Sequence, residues 1–366
     1  MVFDEALCRI ALSLIPNIGP VLARKLVAHC GSAAAVFAEK KSLLQRIPGI
    51  GQSSADAVVN SNVFARAEEE LKFMEKNGIT ALYYQDDAYP RRLKHCYDAP
   101  VVLYHLGNTN FNNPRVVGVV GTRHATDYGG TLCEKLVQEL APYDVLLVSG
   151  LAIGIDSIAH RAALGAGLQT LGALGHGLDR IYPLQNRGMA KKMLAQGGLL
   201  TEFISGTNPD RENFPARNRV VAGLSDCVVV VESAAEGGSL ITAEYAVNYN
   251  RDVFAFPGRV GDERSAGCNA LIRSNKAALI ESAEDLVRMM GWEDAEKKPA
   301  PQPALPVHLE PEEERVVDSM RDQGNVYIDE ICSVSGLTMS KVAAVLLKLE
   351  FSGVVKALPG KMYRLN

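Results

Sequence analysis

The spacing of apolar residues changes along the chain, and each change marks a different kind of structure. From Met1 to about Gly78 the apolar residues recur at helical spacing, as in Ala6-Leu7-Ile10-Ala11-Leu14 and Val21-Leu22-Leu26-Val27. Two breaks interrupt this region, Pro16-Asn17-Ile18-Gly19-Pro20 and Pro48-Gly49-Ile50-Gly51-Gln52. From about Ala81 to Met290 short apolar, β-branched runs alternate with helical patterns. Val116–Val120, Val145–Ser149, Leu168–Leu174, Cys227–Val231 and Val253–Phe256 read as strands buried on both faces. Tyr128–Leu140 and Thr242–Asn250 are long enough for crossover helices, which predicts a Rossmann-like, doubly wound parallel sheet.

Ala295 to Pro306 holds four prolines in twelve residues, the composition of an extended linker. Beyond it the pattern predicts helices over Glu312–Arg321, Val326–Val334 and Ser340–Phe351. A hairpin follows, in which Pro359-Gly360 separates Val354–Ala357 from Lys361–Leu365. Three helices and a hairpin make a winged helix. The expected fold class is therefore α/β, with an all-α domain at 1–78, a Rossmann-like core at 79–292, a linker at 293–308 and a winged helix at 309–366. The two glycine breaks resemble a helix-hairpin-helix (SAM-like) module, in which a glycine turn at a helix start frees N–H groups for a phosphate; a plain helical bundle with tight turns fits them as well. Arg24 and Lys25 are the cations that follow the first turn.

Charge narrows the function. The 38 basic and 42 acidic residues leave a net charge of −4, which excludes a chain that coats nucleic acid by bulk positive charge and requires any such site to be local. The seven cysteines are scattered and form no C-x-x-C, and there is no H-E-x-x-H, so no metal site and a reduced, cytoplasmic protein are expected. The start Met1-Val2-Phe3-Asp4-Glu5 lacks the basic stretch of a secretory signal, and no apolar run approaches the roughly 18 residues of a membrane span.

In a doubly wound sheet, ligands bind outside the carboxyl ends of the strands. There the sequence places Gly121-Thr122-Arg123, Ser149-Gly150, Gly175-His176-Gly177, Glu232 with Gly237-Gly238-Ser239, and Pro257-Gly258-Arg259. Glycine turns at helix starts suit phosphate, yet neither G-x-G-x-x-G nor G-x-x-x-x-G-K-[ST] occurs, so neither a dinucleotide nor a P-loop cofactor is expected. Arg211 to Arg219 gathers Arg211, Arg217, Arg219, Asn213, Asn218 and Phe214. Arginine forks bind phosphates and an aromatic in basic company suits base stacking; the same residues also fit a core phenylalanine flanked by helix-capping arginines. Asp156 and His160, four apart on one helix, read as an N-cap and a packed histidine rather than an acid–base pair.

Five segments carry a specific resemblance. Gly121-Thr122-Arg123-His124-Ala125-Thr126-Asp127-Tyr128-Gly129, Ser149 to Asp156 with Ala159-His160, Gly177-Leu178-Asp179 with Tyr182-Pro183 and Asn186, Asn213 to Ser225, and Gly238 to Ala243 resemble the motifs of the DNA-processing protein A (DprA/Smf) family over about Tyr83 to Val287. The resemblance implies a non-catalytic recombination mediator that binds single-stranded DNA, loads the RecA recombinase during natural transformation and forms a homodimer. It implies phosphate contacts from Arg123 and, where relatives often carry a lysine, from Arg211. It further implies base stacking on Phe214 and a pocket completed by the backbone of Gly121, Ser149 and Gly150. With Thr122, Arg217, Asn218, Arg219, Gly238 and Ser239, these are the expected DNA-binding residues. Two departures stand out: Asn250-Arg251 replaces Gly-Arg, and Gly237-Gly238-Ser239 replaces Ser-Gly-Ser.

Two other readings compete. Gly237-Gly238 through Glu244 is similar to the G-G-x-G-T-x-x-E loop of nucleoside-monophosphate phosphoribohydrolases, but Leu240 and Ile241 stand where that loop has Gly and Thr. A sequence-specific regulator would use the winged helix, whose third helix offers only Ser340, Lys341 and Lys348 toward DNA. Residues 311–366 carry seven basic against eight acidic side chains, which argues against an operator reader.

Overall fold

The computed structural model describes residues 4–293, 310–321, 326–352, 354–358 and 362–365. The chain divides into two compact units, Met1–Pro301 and Gln302–Asn366. The linker expected at 293–308 lies, apart from its first residue, outside the described residues, as does the Pro359-Gly360 turn.

The first unit is built on a nine-stranded sheet: β1 (Thr80–Tyr83), β2 (Val102–Gly107), β3 (Val116–Val120), β4 (Leu146–Ser149), β5 (Thr170–Leu174), β6 (Gly197–Thr201), β7 (Cys227–Val230), β8 (Asp252–Ala255) and β9 (Ala278–Leu279). Their order is β1-β2-β6-β5-β4-β3-β7-β8-β9. From β6 to β9 neighbours are parallel; β1–β2 and β2–β6 are antiparallel. Chain direction across the sheet reverses between β3 and β7, the topological switch of a Rossmann-like fold. The five strands read from the sequence are present within two residues of their expected ends. The antiparallel extension, β6 and the two-residue β9 were not expected.

The central strands are buried along their whole length because both faces are covered. Val116 and Val120 of β3 face one core and Val117 and Val119 the other, as strand alternation requires. The second core is closed by Leu136, Val137 and Leu140 of the helix Asp127–Leu140 and by Leu286. The first core also takes in the N-terminal helices: Ile10 and Leu26 share it with Leu103 and Tyr104 of β2. Only Gly78 and Ile79 separate the last of those helices, Phe64–Asn77, from β1.

Both glycine breaks form turns that start helices. Gly19 and Gly51 are the extended N-cap residues of Pro20–Cys30 and Gln52–Val59. The two neighbouring cations have separate roles. Arg24 donates to the carbonyls of Cys96 (3.0 Å) and Lys94 (3.2 Å) and lies 5.1 Å over the Tyr84 ring, so it docks the helices on the core. Lys25 is exposed and close to the second turn, where a Cβ at Gly49 would come 3.1 Å from its Nζ. The departure at Asn250 is accommodated: its φ of +54° lies in the left-handed region, which asparagine tolerates.

The second unit has helices Pro311–Asp318, Ile328–Ser335 and Met339–Phe351 around a core that includes Val316, Ile331, Val342 and Leu346. Val326–Tyr327, expected to be helical, is instead a strand (β10) paired with β12 (Met362–Leu365); with β11 (Val355–Leu358) they form a three-stranded sheet in the order β10-β12-β11. A β-branched residue next to an aromatic suits an edge pairing better than a helix start. The second and third helices are bent by 108° to each other, within the range of a helix-turn-helix. Lys341 and Lys348 of the third helix pair with Glu312 and Glu313, each at 2.6 Å. No single described helix is long and apolar enough to cross a membrane.

Candidate functional site

The loop after β3 is held from both sides of the topological switch. Thr122 N–H donates to the Glu232 carbonyl at the end of β7 (2.8 Å), and the Thr122 carbonyl accepts from Ile155 N–H (3.1 Å). The buried Glu232 carboxylate accepts from Thr126 N–H (2.9 Å) and Thr126 Oγ1 (2.6 Å), while Thr126 caps the helix Asp127–Leu140 by accepting from Gly129 N–H (3.1 Å). A rigid main chain therefore presents the exposed side chain of Arg123.

The loop after β4 is supported from below. His160 is fully buried between the Gly150 carbonyl (2.6 Å from Nε2) and the Thr170 hydroxyl (2.7 Å from Nδ1). A carbonyl only accepts, so Nε2 carries the proton and Nδ1 accepts. Burial pushes this imidazole down to about 4, so it stays neutral. A Cβ at Gly150 would overlap the Arg217 guanidinium and the Asp156 carboxylate, and at Gly154, whose φ is +81°, a Cβ would overlap the Thr122 carbonyl. The N-cap of the helix Ile155–Gly165 is Gly154, not Asp156. Asp156 folds back to accept from Ala152 N–H (3.3 Å); burial raises its carboxyl, and the charge of Arg217 opposes that rise.

The helix Asn213–Leu224 supplies the third wall. Phe214 is half-buried, with the Arg123 guanidinium 5.1 Å and that of Arg217 5.9 Å from its ring centre. Tyr182 stacks beside it at 6.5 Å and 30°, and is 48% exposed. Together these elements enclose a cavity of about 710 Å³, lined among others by Arg123, Arg211, Phe214, Asn218 and Gly237 to Ser239. A smaller space of about 160 Å³ continues beneath Phe214 and Tyr182 toward His176. The starts of three helices, Ile155–Gly165, Asn213–Leu224 and Gly238–Asn248, contribute to these walls, so their positive dipole ends add to the arginine charge. Arg123 and Arg211 enter none of the ion pairs among the described residues, whereas Glu236 puts one acidic group on the rim.

The sequence-predicted residues thus fall into three groups. Arg123, Arg211, Phe214, Asn218, Gly121, Thr122, Gly150, Gly238 and Ser239 line one cavity. Arg217 also lines it, but as part of the floor: it is 8% exposed, and its Nη1 donates to the Ala173 carbonyl at 2.8 Å. Ser149 and Arg219 are corrections. Ser149 is fully buried with its hydroxyl on the Val119 carbonyl (2.6 Å), behind the cavity. Arg219 points to the other side of its helix, into a buried ion pair with Glu202 and a hydrogen bond to the Asp98 carbonyl. Residues two apart on a helix face away from each other, so Arg217 and Arg219 could not both face the cavity. Sequence reasoning missed Tyr182 as an aromatic partner of Phe214; its place just after the third glycine turn was the available signal.

A doubly wound domain with an arginine- and aromatic-lined crevice at its switch point places the chain among the Rossmann-like proteins. Comparison with known proteins is more specific. Residues 80–291 match the DNA recombination-mediator protein A family, residues 298–361 the DprA winged helix domain and residues 10–61 the SAM-like helix-hairpin-helix tandem; the chain belongs to the DNA recombination-mediator protein A (DprA/Smf) family. Protein Smf of Synechocystis sp. (strain PCC 6803) is 34% identical over 97% of each chain. The X-ray structure of DNA processing protein A from Streptococcus pneumoniae superposes with a TM-score of 0.67 at 32% identity, covering 79% of this chain and 98% of that one. DNA processing protein A from Helicobacter pylori, whose structure was described for its single-stranded DNA binding mode, gives 0.54 at 30% identity over 58% and 96%.

Proposed function

We propose that this chain is a non-catalytic recombination mediator that holds single-stranded DNA in the crevice after β3. In this reading Arg123 and Arg211 meet phosphates, and Phe214 with Tyr182 supplies a stacking platform. The main-chain N–H groups of the Gly238-Ser239 turn complete the anion cradle. The observation that carries the reading is the convergence of Arg123, Arg211 and Phe214 on one cavity, with neither exposed arginine spent on an internal carboxylate. A single-strand site suits an acidic chain, because a few local contacts suffice. The proposal extends to RecA loading, a homodimer, a cytoplasmic setting and a part in DNA uptake, and to the domain boundaries at 78/79, 292/293 and 308/309.

The test is a mobility-shift titration of the full chain with single- and double-stranded oligonucleotides across salt. Preferential single-strand binding, with log affinity falling by about 0.7 per phosphate contact for each decade of salt, is expected. Equal affinity for both forms overturns the crevice assignment. RecA loading is read separately, as faster filament assembly on the bound strand. Two features weigh against the phosphoribohydrolase reading. Ile241 lines the cavity where that loop has a threonine, and Glu244 is exposed with Lys276 at 4.0 Å. Release of free base from AMP or cytidine monophosphate would reinstate it. The pairing of Lys341 and Lys348 with Glu312 and Glu313 supports an auxiliary or protein-contacting winged helix over an operator reader.

A further inference from the structure

The first unit has a second large cavity, about 690 Å³, at the opposite end of the sheet. Its walls come from chain that leads into strands: Pro114 just before β3, Arg251 just before β8, and the helix Arg91–Lys94 ahead of β2. It is therefore separated from the crevice described above by the length of the central strands, five residues in β3 or roughly 17 Å.

Its chemistry parallels that of the first crevice. Arg92 is neutralised by a two-point pair with Asp226 (Nε to Oδ1 at 2.6 Å, Nη2 to Oδ2 at 2.8 Å). Arg91 and Arg251 enter no ion pair among the described residues, so two positive charges remain uncompensated. Arg251 donates through Nη2 to the Arg92 carbonyl (2.9 Å), yet its Nε is buried without a hydrogen-bond partner. Tyr97 is 66% exposed, with its ring edge-on to Tyr249 at 6.0 Å. Asn112 and Asn250 add exposed amides, which both donate and accept. A cation beside the end of the helix Gly238–Asn248 is explained by that helix's dipole. The dipole explains neither the solvent-facing tyrosine nor the unpaired Arg91 on a separate element.

We propose that this cavity is a second nucleic-acid contact, which takes a nucleotide unit of single-stranded DNA with its phosphate on Arg91 and Arg251 and its base on Tyr97. Guanidinium forks, amides and an exposed ring are together the groups that recognise a nucleotide; a free phosphate would use only the arginines. A strand could then be gripped at both ends of one sheet.

The probe is trithymidylate, titrated into the full chain by calorimetry with inorganic phosphate and thymidine as separate arms. Two equivalents per chain are expected. In a chain carrying Arg123→Ala and Phe214→Ala, one equivalent remains; adding Arg91→Glu and Tyr97→Ala weakens it at least tenfold. Both added positions are exposed, and an unchanged melting temperature verifies the fold. A single equivalent in the unaltered chain, lost with Arg123→Ala and Phe214→Ala, overturns the second contact and leaves the first intact. Indifference to Tyr97→Ala, with full displacement by inorganic phosphate, also overturns it, since the cavity then binds anions rather than nucleotides. Loss of only the Arg91- and Tyr97-dependent equivalent on changing those residues sustains it, whatever becomes of the crevice.

Discussion

Arg123 and Arg219 have the same chemistry and both lie in family-like motifs, but the structure gives them opposite duties, and the pair of alanine variants separates those duties. Arg123 is exposed, with the Phe214 ring as a close neighbour, so Arg123→Ala removes little from the fold, on the order of 0.5–1 kcal/mol for the cation–π contact. In the complex it removes one charge-assisted contact of about 1.5–3 kcal/mol, a roughly 10- to 150-fold weakening, and flattens the salt slope by about 0.7. Arg219→Ala strands the buried Glu202 carboxylate, whose Oε1 already lacks a partner. Removing one member of a buried pair costs about 3–5 kcal/mol. Burial has already pushed Glu202 up to about 7, and without Arg219 it rises further. A carboxyl raised in the folded state favours folding when protonated; that contribution is complete below the unfolded value near 4.5 and is lost as pH rises through the folded value. Arg219→Ala should therefore destabilise more at pH 8 than at pH 5, with the salt slope of binding unchanged. Denaturant unfolding at both pH values, with fluorescence anisotropy of a labelled single strand across salt, reads all of this. If Arg219→Ala flattens the slope as Arg123→Ala does while leaving stability intact, the assignment of the two side chains is wrong.

Three further outcomes are expected. Phe214→Ala should weaken single-strand binding by about 1–3 kcal/mol with no change in salt slope, since stacking carries no counterion release; a slope change equal to that of Arg123→Ala would assign the ring to charge positioning instead. Gly150→Ala should lower the melting temperature, by about 1–3 kcal/mol of stability, because the new Cβ overlaps Arg217 and Asp156; an unchanged melting curve would show that the floor yields. His160 should stay neutral down to about pH 4 in an NMR titration of its imidazole. Its folded value lies below the unfolded 6.5, so its contribution to stability is present above 6.5 and declines by about 2 kcal/mol between pH 6.5 and 5; a midpoint near 6.5 would contradict the buried hydrogen-bonded ring.

The sequence revealed those features whose physics is local. Five strands were legible because burial on both faces leaves an uninterrupted apolar run, and Gly121, Gly150 and Gly238 marked strand ends where backbone meets a cavity. β9 has two residues and β6 begins with two glycines, too little side-chain pattern to register. Which arginine of the 211–219 cluster faces out was not legible. Composition counts charge but not helix phase, and the partners that bury Arg219 come from Asp98 and Glu202, far away in sequence. Val326–Tyr327 was misread because its pairing partner lies 35 residues later, at β12. The position of Tyr182 after the third glycine turn placed it near the strand ends, but its stacking on Phe214 depends on a tertiary approach.

β9, at one rim of the sheet, has a consequence for self-association. Ala278 and Leu279 are exposed, but two residues leave few open main-chain groups to zip against a neighbour. Copies of the chain that meet along this border must recognise one another through side chains rather than by continuing the ladder. An edge that offers so little ladder resists runaway strand-to-strand growth into fibres.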